Sequence, residues 1–482
     1  MSRYVLLLSI LLFPLSLFAA GHDVSTTTAR QSLPVVTGNG AGFTSAWLEQ
    51  SDQVRSIVAG RASHGGEPLD GAGIALDQKP TFSLAIAHSS SESLIVWTMN
   101  FSVFATRLSP LGIRLDPTPL LITNQLATNQ LAGDPAVAWN GSRYFVAWTS
   151  GTQLLSAFVG TDGVATAPKP FFTQTSDSGI VFAPDVSWDG RQFVVVFGEA
   201  LPMTGGPFCD LCIPQPDHIR VMRVSAAGDA IDAVPVRIPG VHPKAHVASS
   251  GTESLIALDS SYDTTTMIVR EEGGALQLGP EVPTFHWFYV LSSDVTWDGA
   301  AYDVGWRYPT TSTATGWLGV GRISRSGLPI GSFFTAAAGP PDNGFPTNGP
   351  SIATNDAGEI ALVMSDMAST SSLAKAHLYL LTEFAPTPSA PPAPRNAVSF
   401  LSGSKARIDW QSDGGAEGFL LEESVDFGLH WFRVDVLAPE ARTVTVFASV
   451  GNLFRVSAFG PGGLSAGTIT SVGSSQRRRA SR

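Results

Sequence analysis

Three residues able to ligate a metal or move a proton fall at one position of a recurring strand. Asp185, His246 and Asp294 each occupy the second residue of a repeated apolar segment, in three consecutive copies. Two carboxylates and an imidazole gathered at one place could hold a divalent metal. They could also do acid–base work on a sugar or a uronate. In the other copies this position holds Val35, Ala85, Ala136 and Ser351. A plainer expectation stands beside these: a wet channel is lined by polar residues without further purpose. Lys244 and Asp134 sit near the same alignment, while His242 and His286 fall in neighbouring connections.

Whether the three meet depends on the repeat that carries them. The repeat reads Pro-x-Val-Ala-x-Asn/Asp-Gly-x-x-Phe/Tyr-x-Val-x-Trp, clearest at Pro135 to Trp148. Six further copies begin at Pro34, Leu84, Pro184, Ala245, Ser293 and Pro350, with starts 48 to 61 residues apart. A period near fifty built from strand-like units predicts a propeller or a solenoid. Each copy reads as a hairpin, with alternating apolar residues around Asn140-Gly141, Asp189-Gly190 or Asp298-Gly299. Such pairs tolerate the positive φ angles of a type I′ turn. A weaker second hairpin follows, as in Arg61 to Asp70 and Arg107 to Asp116, with shorter echoes at Arg223 with Gly228 and Arg322 with Gly327. Two hairpins make one four-stranded blade. The first is apolar on both faces, as in Phe193 to Phe197, and suits inner strands packed between sheets. The second carries Arg, Ser and Asp and suits outer edges.

The repeats resemble the seven-bladed β-propellers of secreted proteins. The expected fold class is all-β, with that propeller followed by a C-terminal β-sandwich. Trp47, Trp97, Trp148, Phe197, Leu258 and Trp306 share one repeat position and are expected as an inter-blade packing ring. Tight turns should lie on one face and variable connections on the other, where binding sites usually sit. The long connections are read as 198–218, 235–244, 279–291 and 332–349. The seventh copy lacks a fourth strand of its own, and residues 24–30 are expected to supply it and latch the ring.

The N-terminus reads as a secretory signal over 1–21: Arg3, an apolar run from Val5 to Leu17, then Ala19, Ala20 and Gly21. No cysteine follows them, so a lipoprotein anchor is not supported. No integral membrane segment is expected after signal cleavage, and the protein is expected to be secreted or at the cell surface. The chain's two cysteines, Cys209 and Cys212, are therefore expected as a disulfide pinning the fourth copy's loop. Free thiols and redox or metal chemistry are the alternatives. No thioredoxin-like context surrounds the pair, and a four-ligand zinc site would find only Asp210 and His218 nearby.

The propeller is expected over 22–383 and a stiff Pro-rich linker over 384–394. Residues 395–472 resemble a fibronectin type III module. The resemblance is carried by Pro392 and Pro394, by Ile408-Asp409-Trp410, by Gly418 to Glu422, and by Phe454-Arg455-Val456-Ser457-Ala458 with Gly463 and Ser465. It departs from the family at Asn452, where a corner tyrosine is usual. Such modules imply spacing or weak carbohydrate and protein contacts. Ser424 to Trp431 is similar to one Asp-box turn of the sialidases, read here as a strand–turn–strand of the module. A basic tail, 473–482, is expected to be a solvated end.

The formal charge of −11 argues against nucleic acid as a partner. Calcium loops, WD40 and kelch signatures, nucleophile elbows and phosphate loops are absent from the sequence. The leading expectation is a non-enzymatic protein binding an extracellular glycan or protein through its long-loop face. His242, His286, Trp287 and Phe288 are candidate ligand contacts, joined by Phe285 and Phe345. The alternative is a polysaccharide lyase or glycoside hydrolase with Asp185, His246 and Asp294 as catalytic candidates at the channel mouth. No cofactor is required by the first reading; a divalent metal suits the second. An apolar patch on the loop face would favour a third reading, a component of an extracellular assembly.

Overall fold

The computed structural model describes residues 21–473 except 41, 52–53, 79–82, 125–131, 176–179, 201–217, 241, 260–263, 286–291, 310–315, 339–348, 368–373, 382–390, 417, 426–427, 429–431, 439 and 461–462. Seven four-stranded antiparallel sheets form a β-propeller. Its innermost strands are Arg30–Gly38, Leu84–His88, Ala132–Trp139, Ile180–Trp188, Ala245–Ser249, Ser292–Trp297 and Ser351–Thr354. All seven line one central cavity of about 420 Å³. Among the described residues no helix is long and apolar enough to cross a membrane.

The chain's own beginning completes the seventh sheet. Its strand order is Ser351–Thr354, Ile360–Met367, Ala374–Leu381 and then His22–Asp23. The latch is therefore the dipeptide just ahead of 24–30, the segment the sequence points to. His22 lies opposite Leu378 and Asp23 opposite His377. Val24, the first residue of that segment, still donates its N–H to Ala376 O at 3.1 Å, and the residues after it cross from the seventh sheet to the first. Gln31, fully buried, holds them there: it donates to Ser25 Oγ at 2.6 Å and accepts the Ala376 N–H at 3.0 Å.

The inner hairpins turn as Asx-Gly pairs dictate, with one correction. Gly141, Gly190 and Gly299 have φ of 91°, 93° and 93°, but the preceding Asn or Asp does not have positive φ, as type I′ would need. The Asx side chain closes the turn instead. Asn140 Oδ1 accepts the Ser142 and Arg143 N–H groups at 3.0 and 2.8 Å. Asp189 and Asp298 do the same in their sheets.

Between sheets the core is dry. Trp47, Trp97, Trp148, Phe197 and Leu258 are fully buried and Trp306 nearly so. Burying side chains of this size contributes roughly 2–3 kcal/mol each. The strand beside Trp306 must be bare: a Cβ on Gly319 would lie 2.2 Å from the indole.

The outer hairpins repeat one ion pair. Arg61–Asp70, Arg107–Asp116 and Arg223–Asp232 each span nine residues, the aspartate also accepting the arginine's own N–H at 2.7 Å. The guanidinium then reaches the following blade: Arg61 Nη1 donates to Pro110 O at 2.9 Å and Arg223 Nη2 to Gly274 O at 2.7 Å. In the third blade Phe158 and Thr166 replace the pair, the threonine hydroxyl accepting the Phe158 N–H at 2.9 Å.

All four segments read as connections are partly strand: 198–218 starts within Gln192–Ala200 and ends at the first residue of His218–Ser225, and 235–244 contains Val236–Arg237. The outermost strands of the fifth and sixth sheets are Ala275–Phe285 and Pro329–Ala338. Their Gly-Pro and Gly-Ser breakers are absorbed by register shifts, between the Met267 and Val269 pairings and between those of Val320 and Arg322. An edge strand tolerates a proline because its missing N–H costs no ladder bond.

Beyond the propeller lies a small β domain of two sheets. One pairs Arg395–Ser402, Lys405–Gln411 and Thr443–Phe447. The other pairs Phe432–Leu437, Gly418–Ser424 and Leu453–Gly460, with Gly463–Leu464 and Thr468–Ser471 both against the last of these. Trp410 packs edge-on against Phe419 in its core at 5.4 Å between centroids. Asn452 donates to Glu423 Oε1.

Candidate functional site

The central cavity is walled by residues of all seven inner strands, among them Val35, Ala85, Ala136 and Asp185. The position singled out in the sequence faces it in every blade. Val35, Ala85 and Ala136 make one arc of the wall; Asp185, His246, Asp294 and Ser351 make the other. Lys244 and Asp134 line the same cavity.

Asp185, His246 and Asp294 meet. His246 Nδ1 stands 3.4 Å from Asp185 Oδ2 and 3.4 Å from Asp294 Oδ1. One ligand atom from each lies within 4.8 Å of the others. The side chains keep 27, 14 and 19% of their surface exposed, in chain order, so they border the lumen without standing free in it.

Each carboxylate also ties strands together. Asp185 Oδ1 accepts its neighbour Val186 N–H at 2.9 Å, and Oδ2 accepts the N–H of Val247 in the next blade at 2.8 Å. Asp294 repeats this with Val295 at 2.8 Å and Ile352 at 3.0 Å. Ser351 Oγ accepts the Val36 N–H of the first blade at 3.3 Å. An inner strand leaves N–H groups facing the lumen, and a short acceptor here satisfies one of them. His246 accepts no such bond among the described residues. Its Nε2 is buried without a hydrogen-bond partner among the described residues.

Burial pushes the Asp294 carboxyl above its ordinary range; His246 opposes the shift and Asp185 adds to it. Asp259 behind the site is also raised by burial, against the pull of His246 and of Ser293. Asp259 Oδ1 accepts the Ser293 N–H at 2.9 Å and its hydroxyl at 2.5 Å. The sequence analysis passed over Asp259. Its signal was available: it follows Leu258, where other copies place Leu48, Thr98 or Thr149 after the ring residue.

Other candidates lie elsewhere. His242 is buried, with Nδ1 3.3 Å from Asp259 O and Nε2 3.2 Å from Pro239 O. His218 Nε2 meets Glu199 Oε2 at 2.6 Å, and Arg220 Nε meets the same oxygen at 2.6 Å. These three lie just before and just after residues 201–217 in the chain. Cys209, Cys212, His286, Trp287, Phe288 and Phe345 fall outside the described residues, as does the Phe285 side chain.

No family model matches the chain, and no curated protein matches it. Solved structures do. A Myceliophteria thermophila Swd1 β-propeller domain is 13% identical, covering 75% of this chain and all of that one, with a TM-score of 0.41. The polysaccharide lyase PL25, an ulvan lyase, is 10% identical over 76% of this chain and 96% of that one, with a TM-score of 0.49. Kuenenia stuttgartiensis hydrazine synthase is 13% identical over 62% and 80%, with a TM-score of 0.37. None of the three reaches 0.5, and none informs the ligand.

Proposed function

We propose that this chain is an exported, non-enzymatic binding protein that takes an extracellular glycan or protein at the channel mouth and the connections around it. The double use of the carboxylates carries this reading. Asp185 and Asp294 each accept two backbone N–H groups, one from the next blade. They are built as ties around a rigid mouth, which suits presentation of a fixed surface more than exchange of protons. The C-terminal unit, with Trp410 in its core and three strands facing a larger sheet, is read as a fibronectin type III-like spacer. Its Asn452–Glu423 bond stands where the family places the corner tyrosine.

The second reading is a polysaccharide lyase or glycoside hydrolase. The wedging of His246 between two carboxylates favours it. Fold does not imply function, so the discriminating experiment is direct. The mature protein is presented to immobilised glycans and extracellular proteins while reducing ends and unsaturated products are followed in solution. Retention without turnover is the expected result. Turnover that disappears in His246→Ala would replace the binding reading with the enzymatic one.

A further inference from the structure

We propose that Asp185, His246 and Asp294 hold one borderline divalent transition metal of the zinc class, with a coordination position open to the lumen. The inference is independent of whether the propeller binds or turns over its ligand.

Distance is the first ground. A charge-assisted N–H···O contact settles at about 2.7–2.9 Å. Both contacts of His246 Nδ1 stand at 3.4 Å. For metal–ligand bonds of about 2.0–2.1 Å in a tetrahedron, neighbouring ligand atoms stand about 3.3–3.4 Å apart. The imidazole is thus placed as one vertex beside two others, too far for a good hydrogen bond to either.

Orientation is the second. Every carboxylate oxygen of the two aspartates already accepts one backbone N–H. Each keeps a second lone pair, and the N–H bonds fix its direction as outer-shell partners of metal ligands do. No rotamer search is left for the carboxylates. His246 lacks the usual outer bond at Nε2; its ring is held by its place between the two aspartates.

Charge is the third. Two carboxylates gathered beside one imidazole at the lumen wall repel each other. A divalent cation makes the three-residue site neutral. A single imidazole with two carboxylates suits zinc or a similar metal, whereas calcium takes six to eight oxygens. The cavity of about 420 Å³ leaves room for water or a ligand oxygen at the fourth position, the open geometry of three-ligand zinc sites.

The repeat supplies variants that should fold. Ala85 and Ala136 occupy the register of His246, so His246→Ala places a residue the ring already accepts there. Ser351 accepts the same kind of backbone N–H as Asp294, so Asp294→Ser keeps the tie and removes the ligand. The full-length protein would be stripped with chelator, then titrated with Zn²⁺ by calorimetry and with Co²⁺ by visible absorption. A Cys209→Ser/Cys212→Ser variant runs in parallel. The expected result is one metal per chain, a tetrahedral Co²⁺ spectrum lacking sulfur charge transfer, and affinity about 100-fold weaker or worse in both lumen variants. Unchanged affinity in folded His246→Ala and Asp294→Ser, loss confined to the cysteine variant, or no stoichiometric metal at all would overturn the proposal.

Discussion

One register position divides the propeller into two arcs. In the first three blades it is Val35, Ala85 and Ala136; in the next four it is Asp185, His246, Asp294 and Ser351. Both arcs are built of four-stranded antiparallel sheets, and Asx-Gly turns occur in both, at Asn140 in the first and at Asp189 and Asp298 in the second. The fold therefore does not require polarity at this position. The second arc adds acceptors that tie one strand to the next, and a histidine wedged between the carboxylates of the blades on either side.

The largest effect should be blind to the division. Trp148→Ala in the first arc and Trp306→Ala in the second each remove a buried indole, at about 3–5 kcal/mol by denaturant unfolding. A loss confined to one of them would break the equivalence of the blades.

The outer rim sharpens the contrast. Asp116→Ala strands the buried Arg107 and should cost about 3 kcal/mol. In the sixth blade the partner nine residues on is Gly331, and Arg322 instead pairs with Asp298 and lies 3.6 Å from Asp303. Asp303 is fully buried, neither of its oxygens has a hydrogen-bond partner among the described residues, and burial pushes its carboxyl well up. Leu94 and Leu255 hold its register elsewhere. Asp303→Leu should thus leave stability unchanged or raise it, and a loss like that of Asp116→Ala would show that Arg322 depends on it.

Within the lumen, Asp294→Ala leaves the Ile352 N–H without its acceptor and should cost about 1–3 kcal/mol. Asp294→Ser should recover most of that loss if the tie is what matters. Equal losses in the two would show that the carboxylate does more for the fold than accept that bond.

The smallest effect is pH-linked. Burial raises the folded-state carboxyls of Asp259 and Asp294 above their ordinary value of 3.8. The folded state then binds protons more tightly than the unfolded one, so metal-free stability should fall as pH rises from 3.8 through the raised values. Unfolding in chelator from pH 4 to 7 should show a shallower fall in Asp259→Asn. A slope unchanged by that substitution would remove Asp259 from the account.

The sequence made much of this legible. The fifty-residue period gave the seven sheets, and aligning its copies brought Asp185, His246 and Asp294 to one position that the structure gathers in one lumen. Cross-strand chemistry was less visible. The latch begins two residues before its expected segment and reaches only its first residue, Val24, because Gln31 captures Ser25 and Thr27 by side-chain bonds. The long edge strands of the fifth and sixth sheets were hidden by Gly279-Pro280 and Gly331-Ser332, which look like breakers but form bulges. The double use of each aspartate was invisible, since it depends on which backbone N–H the next blade presents.

The most direct test replaces two polar residues of the second arc with residues that other blades carry at the same position. Wild type and His246→Ala/Asp294→Ser would be compared for retention of immobilised glycans and extracellular proteins, with thermal unfolding run beside them. If the polar arc serves a ligand, retention by wild type falls at least about tenfold in the variant, a change of about 1.4 kcal/mol, while the fold survives. Retention equal in the two proteins would contradict the claim and reduce the arc to strand ties.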